Sequence, residues 1–178
     1  MNFRQKAKKR TVFLPLREMQ GLTNRQRVVQ EILTTEQSYR RSLNVLKDQY
    51  VSPLRLEARK IPAMLTLSEV NSLFSDVDAI CRISDKILED MENCGEDLEF
   101  EVGKIFCDIA PLLKLYTSYV NSHHRALETH RFLLENRPTY EAFCQSCTSD
   151  QDSALFLDSY LILPGKYASR SKWFSDVL

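Results

Sequence analysis

Apolar residues recur along this chain in steps of three and four. Val28, Ile32, Thr35, Tyr39, Leu43, Leu46, Tyr50 and Leu54 form one such seam, the pattern of a long amphipathic helix. Thr23-Asn24-Arg25-Gln26 precedes it as a capping box, whose hydroxyl and amide can satisfy otherwise unpaired backbone donors. Pro53 predicts a kink or an end near Ser52. A second capping box, Thr66-Leu67-Ser68-Glu69, opens a short helix through Phe74. Val77, Ile80, Ile83, Ile87 and Met91 mark another helix, which stops around Asn93-Cys94-Gly95, where glycine can form the cap. Leu98, Val102, Ile105, Ile109, Leu112, Tyr116, Val120, Leu127 and Leu134 then predict a helix over most of 97–135, kinked at Pro111. At ~1.5 Å per residue such a helix would exceed about 50 Å. Pro138 suits the first turn of a helix over about 138–147. Ser149-Asp150-Gln151-Asp152 opens a last apolar helix through Leu163, with Pro164 following. The pattern predicts an all-α, elongated helical bundle with two long members. Residues 1–22 read as a flexible basic tail, and 23–178 as a single domain.

Composition narrows the chemistry. The 178 residues include only 4 Gly and 6 Pro, too few turn residues for an all-β fold. Gly21, Gly95, Gly103 and Gly165 stand far apart, so there is no phosphate-cradling glycine loop, dinucleotide fingerprint or nucleophile elbow. Lys and Arg number 24 and Asp and Glu 24, so overall charge argues for neither nucleic acid nor an anionic membrane. Lys6, Lys8, Lys9 and Arg10 form a local basic run, expected to be a solvated tail, with a lipid-headgroup or nuclear-import patch as the sharper alternative. No apolar stretch approaches the ~20 residues of a membrane span, and the start is too basic for a signal peptide. Five scattered cysteines, an odd number, fit reduced thiols in the cytoplasm.

Few residues invite a specific chemistry. On a helical wheel Glu36 lies only about 40° from the line of Ile32, Tyr39, Leu43 and Tyr50, on the shoulder of the apolar stripe. Glu31 lies about 100° away and reads as an ordinary surface carboxylate. Glu36 is then either a boundary residue reaching water or an acid offered to a partner, since charges are rarely buried unpaired. Cys144-Gln145-Ser146-Cys147 with His123, His124 and His130 could supply metal ligands. The expected reading is buried thiols and half-buried packing histidines, with no metal. No histidine precedes a glutamate in an H-E-x-x-H motif, and nothing marks one thiol as a nucleophile. No catalytic residue and no cofactor are expected.

Three segments together resemble the Dbl homology domain, the helical exchange module for Rho-family GTPases. Arg27-Val28-Val29-Gln30-Glu31-Ile32-Leu33-Thr34-Thr35-Glu36-Gln37-Ser38-Tyr39, with Leu43, Tyr50, Pro53 and Leu54 beyond, is similar to the family's first region, E-L-L-x-T-E-x-x-Y. Ile105-Phe106 through Leu112-Leu113-Lys114-Leu115-Tyr116-Thr117-Ser118-Tyr119 resembles its central Y-x-x-Y helix. Leu157-Asp158-Ser159-Tyr160-Leu161-Ile162-Leu163-Pro164 resembles the entry to its third region. The resemblance covers about 24–164.

The resemblance implies an elongated bundle that binds the nucleotide-free form of a Rho-family small GTPase along its first and third regions. Such a protein does no covalent chemistry. It remodels the switch loops and so speeds GDP release. Glu36 matches the family glutamate that engages the switch I backbone, and Arg170 falls on a basic position that contacts switch II. After Pro164 the family pattern Q-R-x-x-[RK]-Y is replaced by Gly165-Lys166-Tyr167-Ala168-Ser169-Arg170, and the chain diverges over 165–178. This break implies an incomplete final helix, and predicts weak or undetectable exchange, low stability and association through exposed apolar surface. Two alternatives stand beside an exchange factor: a GTPase-binding or regulatory protein without exchange activity, and a helical scaffold.

Overall fold

The computed structural model describes residues 21–149 and 155–170, and among these there is no strand. The first rod is a run of helix: α1 (Asn24–Val45), a π-helical turn (Leu46–Val51) and α2 (Ser52–Glu57). Both halves of the Thr23–Gln26 capping box form. Pro53 does not end the rod near Ser52. It sits in the first turn of α2, directly after the widened turn, and the Ser52 N–H donates to the Lys47 carbonyl five residues back. A π turn shifts the hydrogen-bond ladder by one residue, which accommodates a residue without an N–H.

The second capping box opens α3 (Leu67–Phe74), and α4 (Val77–Cys94) comes next, ending at Gly95 with φ 55°. The single long helix expected over 97–135 is two: α5 (Leu98–Ile109) and α6 (Lys114–Asn136), joined by a 3₁₀ turn at Ala110–Leu113 that contains Pro111. That turn changes which face is buried. At three residues per turn, four residues add about 80° relative to an α-helix, nearly one residue's worth of rotation. Leu113, Tyr119, Ala126, His130 and Leu133 therefore face the core, while Leu112 and Val120 face water.

Pro138 opens α7 (Pro138–Ser149). The acidic start expected for the last helix falls at 150–152, outside the described residues, as do the tail at 1–20 and the end at 171–178. The last helix is divided into α8 (Leu157–Leu161) and α9 (Leu163–Arg170). Pro164 is not a terminator; it lies buried in the first turn of α9. It has no N–H to offer the Tyr160 carbonyl, so the helix breaks at Ile162 and restarts. The Tyr119 hydroxyl donates to the Leu161 carbonyl at this break, 2.7 Å away and buried.

α1 packs on α4 and α5, α3 on α6, and α6 on α7, α8 and α9. The core centres on Leu43, Leu46, Tyr50, Leu54, Phe74, Ile80, Ile87, Tyr116 and Tyr140, all fully enclosed. Arg55 pairs with Asp78 at 2.7 Å, and Arg137 donates to the Met64 carbonyl at 3.1 Å, fastening α2 and the loop before α3 to the bundle. Leu43 lies mid-seam with no exposed surface. Leu43→Ala should therefore lower unfolding free energy by about 2–5 kcal/mol, the usual range for a buried leucine, measured as a fall in the urea midpoint.

Candidate GTPase-binding site

The N-terminal half of α1 is turned by one residue from the expected phase. Val29, Leu33 and Glu36 are buried, whereas Val28 and Thr35 are exposed and Ile32 is half-buried. Glu36 therefore lies on the buried seam itself, with 1% of its surface exposed, and is not the boundary residue the wheel placed on the shoulder. The wheel reading assumed that a charge avoids the core. The donors that make burial tolerable come from α4 and α9, far away in sequence.

Ser84 on α4 donates its hydroxyl to Glu36 Oε1 at 2.5 Å. Tyr167 on α9 donates its hydroxyl to Glu36 Oε2 in a very short hydrogen bond. The Tyr167 ring lies flat on Tyr39 of α1, with centroids 4.0 Å apart and planes 4° apart. Tyr116 of α6 closes a further side, its ring centroid 5.9 Å from that of Tyr167. One turn along α1, Arg40 is drawn aside by Asp85, with Nη2 3.0 Å from Oδ2, and by Asn44 at 2.5 Å. Its charge contributes to the site without a direct bond to the carboxylate.

Burial raises the Glu36 carboxyl above its ordinary value, and the Ser84 and Tyr167 hydrogen bonds with the Arg40 charge pull it partly back. Burial also pushes Tyr167 ionisation far up, reinforced by the negative Glu36 beside it. Tyr39 is driven up by burial and by the Tyr116 hydroxyl. Both phenols stay protonated, so Tyr167 remains a donor to the carboxylate.

The other expected site residue, Arg170, is the last residue of α9, and its side chain lies outside the described residues. α9 brings its backbone toward the same end of the bundle as Tyr167, three residues earlier. Sequence reasoning missed Ser84, Tyr116 and Tyr167 as partners of Glu36. Ser84 did carry a signal: it is a hydroxyl among Ile80, Ile83 and Ile87, on an otherwise apolar face. Tyr167 carried one too, repeating at i+3 from the buried Pro164.

The cysteine and histidine candidates are placed apart from this site. His130 Nδ1 bonds the Tyr140 hydroxyl at 2.9 Å, His124 lies 3.4 Å from Glu128, and the Cys147 thiol donates to the Gln49 carbonyl at 3.5 Å. Burial pushes the Cys144 thiol up to about 11, a protonated and unreactive state at neutral pH. Among the described residues no group of three or more potential ligands converges, and no helix is long and apolar enough to cross a membrane.

The buried carboxylate has two measurable consequences. Glu36→Ala leaves two buried hydroxyl donors without their acceptor and should cost about 1–3 kcal/mol, more than the boundary-site value of about 0.5 kcal/mol or less that the wheel implies. Glu31→Ala, on the exposed face, should stay within about 0.5 kcal/mol of the parent in the same urea titration. The pH dependence has a definite sign. Because the folded-state value lies above the ordinary 4.5, the folded protein holds this proton more tightly, so the contribution is fully present below pH 4.5 and is lost as pH rises through the folded value. The stability of the parent relative to Glu36→Gln should therefore be greatest below pH 4.5 and decline toward neutrality. A relative stability that climbs over that interval would contradict the burial-dominated site.

The RhoGEF domain family profile matches residues 28–166. The chain is 31% identical over 147 residues to Rac guanine nucleotide exchange factor JJ of Dictyostelium discoideum, covering 83% of this chain and 12% of that protein. It is 30% identical over 156 residues to Ephexin-1 of Rattus norvegicus, covering 84% of this chain and 21% of that protein. The chain thus spans about an eighth to a fifth of the length of these relatives. A solved structure of the Vav1 exchange factor superposes with a TM-score of 0.73 at 14% identity, over 86% of this chain and 40% of that one, which places the fold. The match runs from the start of the α1 seam into α9 and takes in Glu36, Ser84 and the break at Pro164, and on it this chain belongs to the RhoGEF, or Dbl homology, domain family.

Proposed function

We propose that this chain acts as a guanine-nucleotide exchange domain for a Rho-family small GTPase in the cytoplasm. The observation that carries the reading is the family match over 28–166, together with a carboxylate held where the first region meets α9. No bond is made or broken and no cofactor is needed. The domain binds the nucleotide-free GTPase, and the nucleotide and the domain weaken each other's hold, a negative coupling that appears as faster GDP release. Glu36 supplies the anionic acceptor for switch I amides, since charge-assisted bonds from N–H groups to a carboxylate are strong. Arg170 supplies a cation toward switch II. Nucleic acid is not a partner in this reading.

A second reading, GTPase binding without exchange, is favoured by one specific observation. Glu36 is 1% exposed, and both its oxygens are engaged from within. The discriminating experiment is GDP release from a panel of Rho-family GTPases, run beside direct binding to the nucleotide-free forms. Exchange is expected on at least one member, and Glu36→Gln should slow it at least tenfold, while Glu31→Ala leaves it unchanged. Binding without faster release would select the second reading. Absence of both with every GTPase would leave a helical scaffold.

A further inference from the structure

Two cavities adjoin on the flank of the bundle where α6 meets α8 and α9. One, of about 310 Å³, lies among Tyr119, Val120, Ile162 and Gly165 and is chiefly apolar. The other, of about 360 Å³, lies among Leu127, Arg131, Leu134, Asp158 and Ser159. His123, Ile162 and Lys166 line both, so the two form one cleft. Cavities of this size, apolar with a few polar groups to fix orientation, are typical of small-molecule sites. The cleft is separate from the Glu36 enclosure. Gly165 and Ser169 lie about 160° round α9 from Tyr167 at ~100° per residue, so the wall they form faces away from α1.

The polar end of the cleft lacks partners. Arg131 and Lys166 are exposed, and neither is in an ion pair among the described residues. The carboxylate on this lining, Asp158, is turned to its own backbone, its Oδ1 accepting from the Ser159 N–H at 2.6 Å. His123 stands at the junction of the two cavities, and its Nε2 is buried without a hydrogen-bond partner. An enclosed polar nitrogen left unpaired costs stability, which a polar ligand group at the junction would recover. Two cations and the Ser159 hydroxyl on one lining match the double charge and three oxygens of a phosphate monoester more closely than a single carboxylate.

We propose that this cleft binds a small amphipathic phosphate monoester, its hydrocarbon body between Val120 and Gly165 and its head beside Arg131 and Lys166. The body covers apolar surface that now meets water: Val120 is 49% exposed and Ile162 36% exposed. A free single-chain phosphate and a membrane phosphatidate carry the same head chemistry, and two assays separate them.

Octyl phosphate is the probe, with octanol and inorganic phosphate as its two halves. In nuclear magnetic resonance spectra of the whole chain, octyl phosphate should shift the ring resonances of His123 and His130, which line the cleft. It should leave in place those of His124, whose exposed ring lies beside Glu128. Half-saturation should need at least about tenfold less octyl phosphate than octanol or inorganic phosphate, because body and head bind as one linked unit. Arg131→Gln combined with Lys166→Gln should weaken octyl phosphate at least about tenfold through the lost charge-assisted bonds, and leave octanol unchanged. Gly165→Leu should plug the apolar cavity, since a Cβ there already meets Val120 Cγ2 at 3.7 Å. It should weaken octyl phosphate and octanol and leave inorganic phosphate as before. The urea midpoint of each variant checks its folding, and the exposed Arg131 and Lys166 pair decides the matter even if Gly165→Leu does not fold.

Flotation with phosphatidylcholine vesicles carrying about 10% phosphatidate, an anionic lipid, reads the membrane source. Vesicle binding that needs phosphatidate and is lost in the double glutamine variant assigns the head to a lipid. Binding of octyl phosphate in solution without vesicle binding assigns it to a free ligand. The proposal is overturned if octyl phosphate fails to bind, or binds no more tightly than octanol. Shifts spread equally over all three histidines, or indifferent to the double variant, would also overturn it.

Discussion

A carboxylate can sit inside a protein only if other groups donate to it, and the arrangement of this bundle meets that demand at Glu36. Its two oxygens are satisfied from two different helices, Ser84 on α4 and Tyr167 on α9. Since Glu36 itself is on α1, one side chain links the first, middle and last parts of the described chain. The aromatic rings of Tyr39, Tyr116 and Tyr167 then exclude water from the carboxylate. Hydrogen bonds within such an enclosure are strong, and so is the penalty if one member is lost. The Tyr167 contact also fastens α9 to α1.

Prolines set the phase of the remaining packing. Pro53 comes directly after a π turn, Pro111 lies in a 3₁₀ turn, and Pro164 restarts a helix broken at Ile162. Each departs from α-helical pitch and so rotates the downstream helix relative to the upstream one. After Pro111 this brings Tyr119 inward, where it can reach the Leu161 carbonyl beside the break at Ile162. At Pro164 it sends Tyr167 toward α1. The incomplete ending expected from the sequence thus still packs as far as α9 is described, with Tyr167 buried on the α1 face.

The fold class was legible because helical periodicity is a local property: apolar steps of three and four, two capping boxes and scarce turn residues survive any rearrangement of tertiary contacts. The family was legible for a related reason, since its first region is one uninterrupted segment around Thr35-Glu36 and Tyr39. The state of Glu36 was not. Two phasings of the α1 stripe, one through Val28 and Ile32 and one through Val29 and Leu33, lie a single residue apart. The choice between them depends on whether a charge can be buried.

The sequence by itself determined the helices, their capped starts and Glu36 as the residue to watch, because each rests on neighbours within a turn or two. Only the tertiary structure decided that Glu36 is enclosed and that Tyr167 encloses it. Tyr167 stands 131 residues from its carboxylate partner. It reaches that partner through a proline break, a 3₁₀ turn and the packing of α9 on α6, and no pattern along the chain encodes a contact whose geometry is the sum of those rotations.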